Sequence, residues 1–363
     1  MPHIPRRFLF LLLAGAVAFS ASACTGNEQP SPQATTSNSA SSGDKIALLL
    51  PDAVTARYEQ LDRPYFEEKV AALGSYEVLY SNADNDAAKQ QQQAEAALVQ
   101  GAKVLVLDAV DVDAALSIVA AAKAQNVPVI AYDRFIDSTD ISYYISFNNE
   151  KIGTLQAQAL VDELKARKLS GGIIMINGSP TDGKAGAPAF KRGAHSVIDS
   201  SGYEVLGEFD SPGWSPEKAQ EFAEAQVAQF GNQIVGVYAA NDGTAGGAIA
   251  AMKAANANPW PVVTGQDAEL AAVQRILTGD QHMTVFRDIK LEAGKAAEVA
   301  VGLLGGNAAK GDMVYEGIQS AMLEPSLVFL ADIKPTLIDG GTYTLDQICT
   351  PDYADACAKA GLR

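Results

Sequence analysis

Short apolar runs alternate with longer, alanine-rich and charge-bearing stretches from Lys45 onward. The apolar runs predict strands at 46–50, 76–80, 104–107, 127–132, 142–147, 172–176, 203–209, 234–239, 261–264 and 283–286. The stretches between them predict helices, among them 87–100, 112–124, 151–168, 216–230 and 291–304. Strands that are rich in Val, Ile and Leu and that alternate with helices are typical of parallel sheets covered on both faces. The pattern therefore predicts an α/β protein.

The number of strands predicts two lobes. Roughly five strands precede Asn148 and about as many follow it, which is too many for one regular sheet. We expect two doubly wound parallel-sheet lobes joined by a hinge, with crossings near 147–149, near Arg287 and near Ser326. The expected ranges are 45–147 plus 287–325 for the first lobe, 148–286 plus 326–345 for the second, and 346–363 for a C-terminal tail. Helix 291–304 would complete the first lobe.

Residues 1–23 have the pattern of a signal peptide. Arg6 and Arg7 precede an apolar run at 8–19, and the small residues 20–23 lead to Cys24. The run is too short for a membrane span, which needs roughly 20 apolar residues. Two interpretations stay open: ordinary cleavage after the small residues, or a bacterial lipoprotein signal that leaves Cys24 as the acylated first residue.

The segment 24–44 favours the lipoprotein interpretation. After Cys24 it reads TGNEQPSPQATTSNSASSGD, which offers almost nothing that could pack into a core. A tract rich in Ser, Thr, Pro and Gln is a flexible linker, and a linker directly after a cysteine suits an anchor at that cysteine. We therefore expect an exported protein on the outer face of the cytoplasmic membrane, held to the membrane by its lipid only.

The three cysteines of the chain fit the same compartment. If Cys24 carries lipid, Cys349 and Cys357 remain as an even pair in an oxidising environment, and they flank a turn-like segment. A disulfide that staples the tail is one interpretation, and two unpaired thiols are the other. Two cysteines without clustered histidines are too few for a zinc site.

Composition and charge argue against several functions. The chain is 48% hydrophobic and 19% charged, with a formal net charge of -16 at pH 7. An acidic chain without a basic stripe repels phosphates, so nucleic acid is not an expected partner. The histidines are His3, His195 and His282, and neither a Gly-x-Ser-x-Gly elbow nor a metal-spaced histidine pair occurs. We expect no enzyme activity, no cofactor and no metal.

Polar and aromatic side chains recur directly after the apolar runs. In open α/β sheets, ligands bind beyond the carboxyl ends of the strands, so these positions are the candidates for a binding site. The candidates are Arg57, Tyr58, Arg134, Asp182, Trp214, Asn241, Asp267 and Arg287. Asp133 and Asp242 also end apolar runs, and Asp242, which precedes Gly243, is interpreted as a helix cap. Capping is the alternative for each Asp and Asn, and a solvated surface position is the alternative for the arginines.

This set of side chains suits a neutral sugar. A pyranose presents hydroxyls that donate and accept hydrogen bonds, together with apolar C–H faces. Carboxylates accept, guanidinium groups donate in a planar fork, and amides do both. Tyr58 and Trp214 would stack on the C–H faces, with core packing as the alternative for each ring.

Several segments resemble a known family. AYDRFI, YISFNNEKIGTLQAQALVD, GSPTD, NDGTAGGAI, GQDAEL and MTV stand in the order and spacing of periplasmic-binding-protein type I sugar binders, most closely the D-xylose-binding proteins of ABC importers. The resemblance covers about 45–332. It implies two lobes joined by three hinge strands, sugar in the cleft and an ABC permease as partner. By motif it implies ligand contacts by Arg57, Tyr58, Arg134, Asp182, Trp214, Asn241 and Asp267.

The chain departs from the family pattern at two places. The loop SPTDGKAGAPAF is longer than the usual SP-x-D-N-N-A and lacks both asparagines, and Lys184 is a candidate to replace one of them. Arg287 stands where the family has lysine. Both places would contact sugar hydroxyls, so the expected ligand is xylose or a related aldose. The alternative role is that of a sugar sensor, which presents its liganded state to a chemoreceptor or a sensor kinase.

Overall fold

A computed structural model describes residues 43–363 of the chain. The predicted signal peptide, Cys24 and nearly all of the predicted linker lie outside the described residues. Across 43–363, no helix combines the length and the apolar character that a membrane crossing requires.

Strands and helices alternate along residues 43–363. The strands are β1 (Lys45–Leu50), β2 (Glu77–Asn82), β3 (Ala102–Leu107), β4 (Val129–Tyr132), β5 (Tyr143–Phe147), β6 (Gly172–Asn177), β7 (Glu204–Asp210), β8 (Ile234–Ala239), β9 (Val262–Gln266), β10 (Met283–Phe286), β11 (Met313–Tyr315), β12 (Ile318–Leu323) and β13 (Ser326–Val328). The α-helices are α1 (Arg63–Leu73), α2 (Ala87–Val99), α3 (Leu116–Ala124), α4 (Asn149–Ala166), α5 (Ala187–Ile198), α6 (Pro216–Phe230), α7 (Asp242–Ala254), α8 (Leu270–Thr278), α9 (Ile289–Leu304), α10 (Leu345–Ile348) and α11 (Ala354–Lys359). One turn of π-helix, Tyr58–Asp62, leads into α1.

The strands form two sheets. The first has the order β11-β12-β5-β4-β3-β1-β2, and the second has the order β13-β10-β9-β8-β6-β7. Five parallel strands have the same relative order in the two sheets, β5-β4-β3-β1-β2 in the first and β10-β9-β8-β6-β7 in the second. The edge strands β11 and β13 pair antiparallel with their neighbours, so both sheets are mixed. The predicted α/β class with two doubly wound lobes is confirmed, and the antiparallel edges are an addition to it.

Helices cover both faces of each sheet, which explains the continuous apolar strands. In β1, Ile46 and Leu48 face the layer that contains α1 and α9, whereas Ala47 and Leu49 face the layer of α2 and α3. The second sheet is covered in the same way by α4, α5 and α8 on one face and by α6 and α7 on the other. A strand buried on both faces has no polar alternation, as observed here.

The chain passes between the two sheets three times. It crosses from β5 to α4, from β10 to α9 and from β12 to β13, because β12 pairs with β5 whereas β13 pairs with β10. The backbone N–H of Asn148 in the first crossing donates to the carbonyl of Leu323 in the third, at 3.4 Å. Helix α9 returns to the first sheet and packs against α1.

The C-terminal tail packs on the second lobe. Cys349 and Cys357 form a disulfide bond, and both are buried within the core of that lobe. The side-chain amide of Gln274 on α8 donates to the carbonyl of Ile348 at 3.3 Å. The disulfide therefore closes a short loop whose apolar side is buried against α8.

Candidate ligand-binding site

A cavity lies between the two lobes, at the carboxyl ends of the strands of both sheets. Its lining includes most of the candidates named above: Tyr58, Arg134, Asp182, Trp214, Asn241, Asp267 and Arg287. The other lining residues are Thr55, Asp133, Asn149, Gly186, Phe190 and Gln266. The fold thus brings residues from widely separated parts of the chain to one enclosed place, as an inter-domain ligand site requires.

Arg57 does not line this cavity. Its guanidinium is buried one layer behind it, where Nε donates to Oδ2 of Asp62 at 2.8 Å and Nη2 donates to Oε2 of Glu292 at 3.2 Å. Its Nη1 lies 3.4 Å from Oδ2 of Asp133 and 3.9 Å from Oδ1 of Asp267. Arg57 therefore supports two carboxylates of the cavity from behind, instead of standing at its surface as the sequence analysis expects.

Asp133 and Asp267 occupy equivalent places in the two lobes. Asp133 follows β4 and Asp267 follows β9, which are the fourth strands of their lobes in chain order. Their backbone N–H groups donate to the next strand at 2.8 Å, to the carbonyls of Ile145 and Val285 respectively. Both have a positive φ, 60° for Asp133 and 98° for Asp267, which is costly for a residue with a side chain. Such strain persists where the surroundings impose it, and it clusters at binding sites.

Arg287 joins these two carboxylates. It follows β10 at the second crossing, and its Nη1 donates to Oδ1 of Asp133 at 2.7 Å while its Nε donates to Oδ1 of Asp267 at 3.0 Å. All three side chains are nearly fully buried. Charge-assisted bonds of this kind hold each carboxylate in one orientation.

A second charged pair bridges the lobes through Arg134. Its Nε lies 3.4 Å from Oδ1 of Asp182 in the second lobe and 3.4 Å from Oδ1 of Asp108 in the first. Its Nη1 donates to the carbonyl of Ala109 at 2.6 Å, and its Nη2 donates to the hydroxyl of Tyr58 at 3.4 Å. These partners fix the guanidinium at the cavity wall.

Trp214 and Phe190 form an aromatic wall of the cavity. The indole Nε1 donates to Oδ2 of Asp182 at 2.8 Å, and the two rings are in edge-to-face contact with centroids 6.1 Å apart. The ring lies against the backbone of Gly178, where a Cβ would come within 2.2 Å of it. Glycine at 178 therefore lets the indole reach its place, and the hydrogen bond fixes its orientation.

Asn241, not Asp242, caps α7. Oδ1 of Asn241 accepts from the backbone N–H of Thr244 at 2.9 Å, whereas Asp242 is the first residue of the helix. The buried carboxylate of Asp242 accepts from Gln281 at 2.7 Å and from Thr284 at 2.9 Å. The interpretation of Asp242 as the cap is wrong, because its carboxylate faces the neighbouring β10 segment and not the helix N-terminus. Since Oδ1 of Asn241 is used for capping, a ligand contact by this residue would come from Nδ2.

Lys184 lies outside the cavity. Its Nζ is 3.1 Å from Oδ2 of Asp137 and 3.5 Å from Oε1 of Glu316, and about half of its side chain is exposed. Asp137 and Glu316 belong to the first lobe, so this contact crosses the lobes at the surface. Lys184 therefore does not replace an asparagine of the cavity.

Burial changes the acidity of the cavity carboxylates. It raises the pKa of Asp182 from an ordinary 3.8 to about 6, an effect that Arg134 and the indole N–H partly offset. It raises the pKa of Asp267 to about 7, partly offset by Arg57. Both groups therefore change charge within the neutral range, and partners that donate hydrogen bonds favour the charged form.

Several buried acceptors on the cavity lining have no hydrogen-bond partner within residues 43–363. They are Oδ1 of Asn149, Oδ1 of Asp182, Oε1 of Gln266 and Oγ1 of Thr55. A buried polar atom without a partner is rare, so a ligand that brings hydroxyl donors fits this lining. In the same range no group of acidic, histidine or cysteine side chains is suited to hold a metal ion.

Asp133, Asn149 and Gln266 line the cavity but are not among the sugar-binding candidates chosen from the sequence. Asp133 ends an apolar run, the same signal that selected the neighbouring Arg134. Asn149 and Gln266 carry weaker signals, since one opens a helix and the other still lies within a strand. Only their position on the cavity wall of the folded protein distinguishes them from ordinary capping and strand residues.

Comparison with known proteins agrees with the fold. Residues 46–308 match the family described as periplasmic binding protein domain. The D-xylose-binding periplasmic protein of Escherichia coli (strain K12) is 37% identical over 312 residues, which span 84% of this chain and 92% of that protein. The D-xylose-binding periplasmic protein of Haemophilus influenzae is 34% identical, over 86% of this chain and 94% of that protein. An ABC transporter solute binding protein from Clostridium phytofermentans, solved with bound β-D-glucose, superposes with a TM-score of 0.75 at 31% identity, over 84% of this chain and all of that chain.

Proposed function

Because the chain belongs to the periplasmic binding protein family, we propose that it is a receptor that binds one monosaccharide in the cavity between its lobes. The observation that carries the proposal is the lining itself. Carboxylates, guanidinium groups, amides and an indole ring converge there from both lobes. The charges of Arg134 and Arg287 are balanced by carboxylates, so the lining favours a neutral ligand with many hydroxyls over a charged one.

The proposed ligand is D-xylose or a related aldose. The two D-xylose-binding periplasmic proteins described above are similar to this chain over most of its length and are named for D-xylose. Trp214 would stack on the C–H face of the ring, and Asp182 and Asp267 would accept from its hydroxyls. The departures at Arg287 and in the loop 179–190, which lacks both asparagines of the family pattern, are the reason to include other aldoses.

Binding would be coupled to closure of the lobes. Three crossings connect the lobes, and the contacts of Arg287 with Asp133 and of Arg134 with Asp182 join them across the cavity. A ligand that contacts both lobes favours the closed form, because those contacts are all made only when the lobes meet.

The closed form would then deliver sugar to an ABC import permease. The family membership supports this role, and the signal peptide predicted at 1–23 suits it. Cys24, acylated, would hold the protein at the outer face of the cytoplasmic membrane. Replacement of Cys24 by serine is then expected to release the protein into the soluble fraction of its native host, and unchanged membrane association would contradict the anchor.

A thermal-unfolding screen over pentoses and hexoses tests the binding proposal. A ligand that binds only the folded state at a hundredfold excess over its Kd adds about 2.7 kcal/mol to the free energy of unfolding, so the right sugar raises the melting temperature clearly. D-xylose or a related aldose is expected to do so, with the surface variant Lys334→Ala behaving as the parent. If no monosaccharide changes the melting temperature of the folded protein, the proposal is wrong.

Uptake measurements test the delivery step. A host that lacks this protein is expected to lose uptake of the labelled sugar and to regain it when the gene is restored. Intact uptake together with a lost chemotactic or kinase response to the same sugar would instead establish the role of a sensor.

A further inference from the structure

Asn149 lies where the chain first enters the second lobe. It is the first residue of α4, directly after the crossing from β5, and it is buried with 5% of its surface exposed. It also lines the cavity between the lobes. An asparagine at this point therefore belongs both to the hinge and to the binding site.

The orientation of its amide is fixed by the loop between β6 and α5. Nδ2 of Asn149 donates to the carbonyl of Ala185 at 2.8 Å. A carbonyl accepts only from the amide nitrogen, so this bond assigns the two ends of the side chain. Oδ1 is then the other end, and it is buried without a hydrogen-bond partner among the residues that the structure describes.

The loop that Asn149 holds carries Asp182 into the cavity. Residues 178–186 read GSPTDGKAG and contain no amide side chain. The loop is also held by Trp214, whose indole bonds Asp182, and its Gly186 lines the cavity beside Asn149. Asn149 thus provides an amide oxygen at a wall of the site whose own loop has none.

We propose that Asn149 is a specificity-determining residue, whose Oδ1 accepts a hydrogen bond from one hydroxyl of the ligand while Nδ2 holds the loop of Asp182. The inference rests on the proposed function of the same cavity. A ligand that lacks this hydroxyl leaves a buried acceptor unsatisfied, which costs about tenfold to a hundredfold in affinity. If Asn149 only held the loop through Nδ2, the absence of that ligand hydroxyl would cost little affinity at this residue.

A cycle of protein variants and sugar analogues separates the two roles. Titration calorimetry would compare the parent with Asn149→Ala on D-xylose and on its monodeoxy derivatives, each of which lacks one hydroxyl. Asn149→Ala is expected to weaken D-xylose binding at least tenfold. For one monodeoxy derivative, the parent and the variant should bind about equally, because the contact is already absent.

If the decrease in affinity caused by Asn149→Ala disappears for one monodeoxy analogue only, the inference is supported. If the decrease is the same for D-xylose and for every analogue, the inference is wrong and Asn149 only positions the loop. Affinity of Asn149→Ala equal to that of the parent also overturns it. If the parent binds no sugar at all, the proposed function fails first and the inference falls with it.

Two further variants guard the experiment. Asn148→Ala removes an exposed cap in the same crossing, whose Oδ1 accepts from the backbone of Lys151 at 3.0 Å and does not line the cavity. It is expected to bind D-xylose and all analogues as the parent does. Should Asn149→Ala fail to fold, as judged by circular dichroism, Asn149→Ser replaces it in the same cycle with the same expected pattern.

Discussion

Arg287 and Asp133 meet between the lobes, with Nη1 of the arginine 2.7 Å from Oδ1 of the carboxylate although 154 positions separate them in the sequence. Asp133 belongs to the first lobe, and Arg287 follows the last parallel strand of the second. The pair is nearly fully buried, and Arg287 also bonds Asp267. One guanidinium therefore balances two carboxylates that the fold brings together.

Replacement of Arg287 by alanine should destabilise the protein. It leaves Asp133 and Asp267 buried without this partner, and removal of one member of a buried pair costs about 3–5 kcal/mol. Urea unfolding at pH 8 would measure the loss, with Lys334→Ala as the control, since more than half of the Lys334 and Asp339 side chains is exposed. A free energy of unfolding equal to that of the parent would show that the pair is not buried as described.

Replacement of Asp267 by alanine should weaken sugar binding strongly. The carboxylate accepts from Arg287 and is available to ligand hydroxyls, so its loss leaves buried donors unpaired at a cost of about 1–3 kcal/mol or more. That cost corresponds to an affinity about fivefold to more than a hundredfold lower, measured by calorimetry on a sample whose fold is verified by circular dichroism. Parent-like affinity in the folded variant would contradict the site.

The two tryptophans should respond differently to sugar. Trp214 lines the cavity, whereas the indole of Trp260 donates to the carbonyl of Asp280 at 3.0 Å, away from it. Addition of the right monosaccharide is expected to change the intrinsic fluorescence. Trp214→Phe should remove most of that change and Trp260→Phe should keep it. The reverse result would place the sugar elsewhere.

Sugar affinity and stability should depend on pH in opposite directions. The pKa values of Asp182 and Asp267, about 6 and about 7, lie above their ordinary 3.8, so protonation of these groups stabilises the folded state. This contribution to the free energy of unfolding is complete below pH 4 and is lost as pH rises through the two pKa values. Ligand hydroxyls favour the ionised carboxylates, so affinity should rise from pH 5 to pH 8. Calorimetry across this range would show it, and Asp267→Asn should flatten the profile. A flat profile in the parent would be contrary to this expectation.

The disulfide should be closed and stabilising. Thiol labelling of denatured but unreduced protein is expected to leave Cys349 and Cys357 unmodified. The paired replacement of both by serine should lower the free energy of unfolding by about 2–3 kcal/mol, because the bond closes a loop of 8 positions. Ready labelling of both cysteines would exclude the bond.

The long, buried elements were predictable from the sequence. Strands β8 and β10 fall at the predicted bounds, as does α6, because each has an uninterrupted apolar run or a clear capping serine before a helix. Three strands after α9 were not predicted. The edge strands β11 and β13 have only three residues each, too few positions to show a pattern. Strand β12 has six residues and was missed as well, since IQSAML mixes polar and apolar positions.

The site was predictable to the extent that it uses strand ends. Asp182, Trp214 and Asp267 follow apolar runs, and the cavity includes all three. Arg57 follows a strand as well but turns away from the cavity toward Asp62 and Glu292. Glu292 lies on α9, more than two hundred positions later, so no local pattern could reveal that competing partner. Contacts between distant segments are the part of the site that requires the fold.

The return of α9 and β12 to the first lobe affects the order in which the chain can fold. A chain that emerges from its N-terminus completes β6 to β10 as one contiguous run, so the sheet of the second lobe lacks only β13 when β10 has appeared. At that stage the first lobe has an open edge at β5, where β12 will pair, and the apolar side of α1 is not yet covered by α9. Unpaired edges and uncovered apolar faces associate with other chains. Nascent chains that end before α9 are therefore the stage at which the first lobe most needs a chaperone.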